Sequence, residues 1–207
     1  MVEPRFLLTD IPCRSRTAAS SGPGPAEIAG AWGSTIDDVI APGLKVLFCG
    51  INPSLYSAAV GHHFARPGNR FWPALHLAGF TGRVLSPFED ELALRHGLGV
   101  TNLVARATAS AQDLSREELR EGGKALADKV LRYAPGVVAV VGIGAYRMAF
   151  DQPRATIGPR GQQLGGRPVW VLPNPSGLNA HYQLPDLAAQ FRRLREAIDL
   201  PDPCSSC

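Results

Sequence analysis

Asn52, Ser57 and Phe64 fall inside one segment, Gly50 to Trp72 (GINPSLYSAAVGHHFARPGNRFW), that carries no aspartate or glutamate. An amide at the end of a strand can hold a water, and a hydroxyl with backbone N–H groups can meet the edge of a planar ligand. An aromatic ring can stack on the ligand's face. The set suits an uncharged planar ligand and offers no paired carboxylates for acid–base work. Taken alone, Asn52 reads as a turn residue or helix cap, since Asn before Pro is common there. The tripeptide recurs, however: Lys45 to Ser54 reads KVLFCGINPS, and Val169 to Gly177 reads VWVLPNPSG. Each is an apolar run ended by Asn-Pro-Ser, and proline stops a strand's ladder. Ligands bind at the carboxyl edge of open α/β sheets, so these two ends predict two lips of one cleft.

Other candidate motifs carry less. Val140 to Arg147 (VVGIGAYR) holds Gly-x-Gly, but Arg147 stands where a dinucleotide fingerprint has its third glycine. A tight strand-to-helix turn is expected instead. His62 and His63 are adjacent in a loop, where neighbouring side chains diverge, and no acidic or cysteine partners cluster with them in sequence. No Gly-x-Ser-x-Gly elbow and no phosphate-binding loop are present. Cys49 lies in an apolar run and reads as a small core residue. Cys204 and Cys207 form a CxxC with no second ligand pair, so no metal or other cofactor is expected.

The elements that must position these residues alternate. Strands are expected at Lys45 to Gly50, Leu98 to Val104, Val137 to Val141 and Val169 to Leu172, and a short helix at Phe71 to Ala78. Ser115 and Glu118 have capping-box spacing for a helix reaching Tyr133, with Leu119, Leu126, Val130 and Tyr133 on one face. Gly122-Gly123 weakens that helix unless another backbone approaches it closely. A closing helix is expected over Pro185 to Asp199, with Leu187, Phe191, Leu194 and Ile198 inward. The fold class is α/β, a three-layer α/β/α arrangement around a mainly parallel sheet.

The 207 residues suit one globular domain at residues 37–200, followed by a tail at 201–207. Residues 1–36 are rich in Pro, Gly, Ser and Ala and are expected to be a flexible extension. No apolar stretch reaches the roughly 20 residues of a membrane span, and no secretory leader is visible, so a cytoplasmic protein is expected. The net charge of +3 permits a nucleic-acid partner. Arg66, Arg70, Arg106, Arg160 and Arg167 fall in or beside expected loops and could form a basic rim.

GINPSLYSA, HFARPGNRFW, GVTNLV and LPNPSG together resemble the mismatch-specific uracil-DNA glycosylases, relatives of thymine-DNA glycosylase. The likeness runs from about Asp37 through the closing helix. It implies the uracil-DNA glycosylase fold, a metal-free monofunctional enzyme, and a monomer acting on double-stranded DNA that contains mispaired or damaged bases. It makes Asn52 the water-positioning residue and Phe64 the ring that stacks on the extruded base. Ile51 and Phe64 would offer backbone amides to the base edge, with Ser57 beside the pocket. Gly177, Leu178 and Asn179 match the wedge that enters the duplex and meets the widowed guanine. Asn102, in GVTNL, reads either as a strand-ending turn residue or as a further contact to the flipped base. Ser54, Tyr56 and the run Asn179-Ala180-His181 depart from the best-known bacterial member, so base and opposite-base preferences can differ.

With an amide and no carboxylate at the strand end, only intrinsically good leaving groups such as uracil are expected to depart, and slowly. The competing readings are a DNA-lesion binder that does not cut and a nucleotide-binding Rossmann-type enzyme.

Overall fold

A computed structural model of the chain describes residues 22–198. Cys204, Cys207, Asp199 and residues 1–21 lie outside the described residues. The strands are β1 (Val46–Gly50), β2 (Leu98–Asn102), β3 (Val137–Val141), β4 (Gly158–Leu164) and β5 (Arg167–Leu172). They form a single five-stranded sheet in the order β2-β1-β3-β5-β4. β1 pairs parallel with β2 and β3, and β3 pairs parallel with β5. β4 alone is antiparallel, returning along β5 at the edge.

The apolar runs of the inner strands β1 and β3 are buried on both faces, as parallel strands between helix layers must be. Alternation along β1 divides the core in two. Val46 and Phe48 face one layer, with α3 (Phe71–Leu77) and α6 (Leu184–Ala197). Leu47 and Cys49 face the other, with α4 (Arg116–Tyr133) and α5 (Ile143–Ala149). Phe48 meets Phe71 and Phe80 edge-on and lies parallel to Phe191.

Ser115 caps α4, and Glu118 returns the capping-box bond. The glycine pair in α4 has the close backbone neighbours it requires. A Cβ on Gly122 would run into the Leu103 carbonyl, and one on Gly123 would lie 3.0 Å from the carbonyl of Ala149. α4 therefore sits down on the segment after β2 and on the end of α5. The VVGIGAYR segment is the expected turn: Gly142 has φ +132° and leads straight into α5.

The amino-terminal segment and β4 are among the elements that depart from the sequence expectation. Residues 22–36, expected as a flexible extension, hold the helix α1 (Pro25–Gly30), which packs on α2 (Leu55–Val60). Pro25 opens that helix, and Glu27 accepts the Gly24 N–H at 2.7 Å, so local capping offsets the Gly/Pro-rich composition. β4 (GPRGQQL) lacks the apolar alternation of a strand; it is an edge strand ordered by pairing with β5. Among the described residues no helix is long and apolar enough to cross a membrane.

Candidate active site

β1 ends at Gly50, but its pairing continues into the loop. Gly50 and Ile51 carbonyls accept the N–H groups of Leu103 and Val104, both at 2.9 Å. Pro53 then breaks the ladder, and Ser54 caps α2 by accepting the Ser57 N–H at 3.1 Å. Asn52 is held between these two constraints. Its Nδ2 donates to the Arg106 carbonyl at 3.1 Å and to Thr108 Oγ1 at 2.7 Å. A carbonyl only accepts, and Thr108 Oγ1 gives its own hydrogen to the Ser110 carbonyl at 2.7 Å. The amide therefore has one orientation: both Nδ2 hydrogens are used, and Oδ1 has no protein partner among the described residues.

Phe64 presents its ring over Gly50, two residues before Asn52. Its backbone lies in the left-handed region, φ +54°, which costs a non-glycine residue about 1–2 kcal/mol. Such strain persists where surroundings enforce it and gathers at functional sites. Here the enforcing contacts are a parallel stack on Phe71, centroids 4.0 Å apart, and the next N–H, of Ala65, donating to Ser57 Oγ at 3.1 Å. Gly50 makes the fit possible, because a Cβ there would lie 3.2 Å from Phe64 Cζ and collide with Asn102 Oδ1. The N–H groups of Ile51 and Phe64 have no protein acceptor among the described residues.

Ser57, expected beside the pocket, sits under the Phe64 loop. It is buried, and its oxygen is taken by Ala65 N–H and by the Ser54 hydroxyl 3.1 Å away. It braces the Phe64 loop.

Asn102 pairs in register with Gly50 and so reaches the same sheet edge. His63 orients it. His63 Nε2 lies 3.0 Å from the Asp37 carbonyl and must donate, so Nδ1 accepts from Asn102 Nδ2 at 3.4 Å. Burial lowers the His63 pKa below its ordinary value and keeps this neutral tautomer. Asn102 Oδ1 is thereby turned over Gly50, toward Phe64. His62 and His63 diverge as expected, but they do have an acidic partner. Asp90, 3% exposed, accepts the His63 N–H at 2.9 Å and lies 3.0 Å from His62 Nδ1. Sequence proximity could not reveal it, since it arrives from the far side of the loop. Among the described residues, no group of three His, Cys, Asp or Glu side chains is placed to hold a metal.

The second lip follows β5. Asn174 Oδ1 accepts the Ser176 N–H at 3.0 Å, so this Asn-Pro-Ser closes a loop where the first one frees an amide oxygen. Leu178 projects from that loop, 78% exposed. Asn179 follows: its Nδ2 donates to the Asn174 carbonyl at 2.8 Å, and its Oδ1 accepts the His181 N–H at 3.1 Å. The loop thus fixes the amide through one of its two hydrogens and one lone pair of its oxygen. The two lips touch directly, because a Cβ on Gly177 would lie 2.7 Å from the Gly68 carbonyl.

Arg70 joins the lips. Its N–H donates to the Pro175 carbonyl at 3.0 Å, and its guanidinium donates to the carbonyls of Ser176 and Asn179. Arg106 is likewise structural, paired with Glu118 at the start of α4. That guanidinium pushes the Glu118 carboxyl down to about 2. Arg167 begins β5 and therefore lies at the amino end of the sheet, away from the cleft; Arg160 holds Thr156. Arg66 is exposed without an ion pair among the described residues, in a groove it shares with Asn69, Gly177 and Leu178. Thr108 is the site residue that motif reading passed over, since it lies in no strand-end motif.

The fold and this edge define a doubly covered, mainly parallel sheet with a candidate cleft at the carboxyl ends of β1, β2 and β5. Residues 38–198 match the family model of the Uracil DNA glycosylase superfamily, and the chain belongs to that superfamily. It is accordingly a DNA glycosylase, a hydrolase whose partner is DNA. In fold it is similar to the solution structure of a protein from Methanosarcina acetivorans described as a candidate uracil DNA glycosylase. The TM-score is 0.53 at 18% identity, covering 79% of this chain and 98% of that one.

Proposed function

We propose that the protein excises uracil, and bases that leave as readily, from mispaired duplex DNA, with a water held by Asn52 as the nucleophile. The observation that carries this reading is the locked carboxamide: with both Nδ2 hydrogens engaged, Oδ1 is left to accept a hydrogen from water. The target atom of a stacked base is out of reach, so the nucleotide must be extruded. Leu178 then fills the gap, and Arg66 meets the backbone phosphates beside it. The base lies on the Phe64 face not covered by Phe71, its carbonyl oxygens toward the free N–H groups of Ile51 and Phe64.

Chemistry follows from this placement. The C1′–N1 bond breaks and its electron pair goes to the base, where the two N–H groups stabilise the charge. The water oxygen bonds to C1′ from the opposite side and releases its proton to solvent. The Gly50–Trp72 segment contains no lysine that could form an imine with the sugar, so the product is a free base and an intact abasic strand. Mispaired uracil costs less to extrude than paired uracil, which biases the enzyme toward mismatches.

The test is incubation with duplexes carrying one uracil opposite guanine or adenine, then heating in alkali. Wild-type protein should yield strand breaks at uracil, and Asn52→Ala should yield almost none while binding the same DNA. Tight binding by wild-type protein without breaks would mark a lesion binder instead.

A further inference from the structure

Residues 22–36 lie outside the span matched by the family, 38–198, yet they reach the proposed active site. α1 packs on α2, and Ala31 just beyond it is buried. The chain then turns at Gly33, φ +77°, and meets Ala107. Gly33 N–H donates to the Ala107 carbonyl at 3.0 Å, and Ala107 N–H donates to the Ser34 carbonyl at 2.8 Å. Ala107 is 0% exposed and stands between Arg106 and Thr108, the two residues that receive the Asn52 hydrogens.

Peptide planarity turns this into a mechanical link. In a trans peptide the C=O and the following N–H point in opposite directions. The plane joining Arg106 to Ala107 therefore bonds Ser34 on one side and Asn52 on the other. The next plane, joining Ala107 to Thr108, bonds Gly33 on one side, while its N–H donates to the Pro53 carbonyl on the other at 3.2 Å. Two consecutive peptides thus bridge the amino-terminal segment to Asn52 and Pro53. If the outer bonds are lost, both planes can rotate, and the acceptors that orient Asn52 rotate with them.

We propose that residues 22–36 are a positioning element of the active site, holding the Asn52 carboxamide through Ala107. Its activity readout rests on the glycosylase reading; its structural readout does not. The segment acts on the orientation of Asn52, so it governs the rate of bond cleavage and leaves DNA affinity alone.

Gly33→Pro in the full-length chain is the test. Proline has no N–H to give Ala107 and cannot adopt a positive φ. Gly33→Asn keeps the N–H and tolerates that φ, and the space around a Cβ there is open, so it serves as the rescue. The first readout is the NMR resonance pair of the Asn52 side-chain amide, assigned by its disappearance in Asn52→Ala. Gly33→Pro should shift that pair and speed its hydrogen exchange about tenfold, and Gly33→Asn should restore it. The second is single-turnover excision of uracil opposite guanine, expected to fall about tenfold in Gly33→Pro while the Kd for the same duplex stays within about twofold.

An unmoved Asn52 amide in a folded Gly33→Pro protein overturns the proposal, as does a loss confined to DNA affinity. If Gly33→Pro does not fold, Ala31→Asp detaches the same segment by burying a charge, and the same two readouts decide. If wild-type protein excises no uracil, the glycosylase reading fails, and the amide resonances still decide the clamp.

Discussion

The ring of Phe64 lies on the ring of Phe71, 18° from parallel with centroids 4.0 Å apart. Phe71 is wholly buried and is itself fixed by edge contacts to Phe48, Trp72 and Phe191. The proposed base platform is thus the outermost layer of an aromatic stack rooted in the core. A platform that cannot move costs little ordering when a base arrives.

Phe64→Leu should therefore impair excision more than its change in volume suggests. Leucine keeps apolar area but has no flat face, and base–aromatic stacking contributes about 1–3 kcal/mol. Single-turnover excision should fall about tenfold or more, whereas Phe64→Tyr should stay close to wild type. Equal rates for Phe64→Leu and wild type would remove the stacking role.

Thr108→Val should reproduce part of the Asn52→Ala defect without touching DNA. Thr108 is 1% exposed, and its hydroxyl is both the acceptor for Asn52 and a donor to Ser110. Valine has nearly the same shape but leaves a buried donor unpaired, a loss of about 1–3 kcal/mol. The excision rate should fall about tenfold with unchanged DNA affinity, and Thr108→Ser should restore it. A Thr108→Val enzyme of normal rate would mean that Asn52 does not depend on this bond.

Much of the framework is legible in the chain because strand runs, caps and the double glycine are local signals. β1, β3 and β5, the Ser115 cap and the close approach at Gly122 all follow from residues near one another in sequence. The Asn-Pro-Ser echo marks both lips of the cleft, but it cannot say that Asn52 frees an oxygen while Asn174 closes a turn. That difference depends on Arg106 and Thr108, more than 50 residues downstream of Asn52. The same holds for Asp90 under the two histidines. β4 was invisible because an edge strand can be polar, and its order comes from β5.

Asn102 and His63 make a linked prediction. Asn102→Ala should reduce excision opposite adenine more than opposite guanine, since a paired uracil needs every contact in the cleft to stay extruded. Equal losses would reject a selective role. The same contact carries a pH dependence. Above about pH 6.5 the imidazole is neutral in folded and unfolded chains, and stability is complete. Below that value the unfolded chain binds a proton that the buried ring, its pKa lowered by desolvation, refuses. Stability should therefore fall as pH drops from about 6.5 toward the ring's own pKa, and a protonated Nδ1 would lose Asn102. Thermal unfolding between about pH 7 and pH 5 should show a steeper loss for wild type than for His63→Gln. Parallel pH curves would show that His63 does not couple to folding.

Leu178 is the proposed wedge on the DNA side of the site. It stands 78% exposed at the tip of the second lip, where a partner could cover it. Its loop is braced: Arg70 holds the carbonyls of Ser176 and Asn179, and Gly177 lies against Gly68. Leu178→Ala keeps this frame and removes only the wedge. The hole left by an extruded base would then refill by restacking, a loss of a few kcal/mol at most. Uracil opposite adenine should suffer more than uracil opposite guanine, because a mispair has already lost part of its pairing energy. Asn179→Ala should behave differently. Its amide holds Asn174 and His181, so its loss should loosen the loop and slow both substrates to a similar degree. Single-turnover excision of each substrate by each variant separates the two roles. If Leu178→Ala slows neither, the loop does not enter the duplex, and the second Asn-Pro-Ser serves only as a turn.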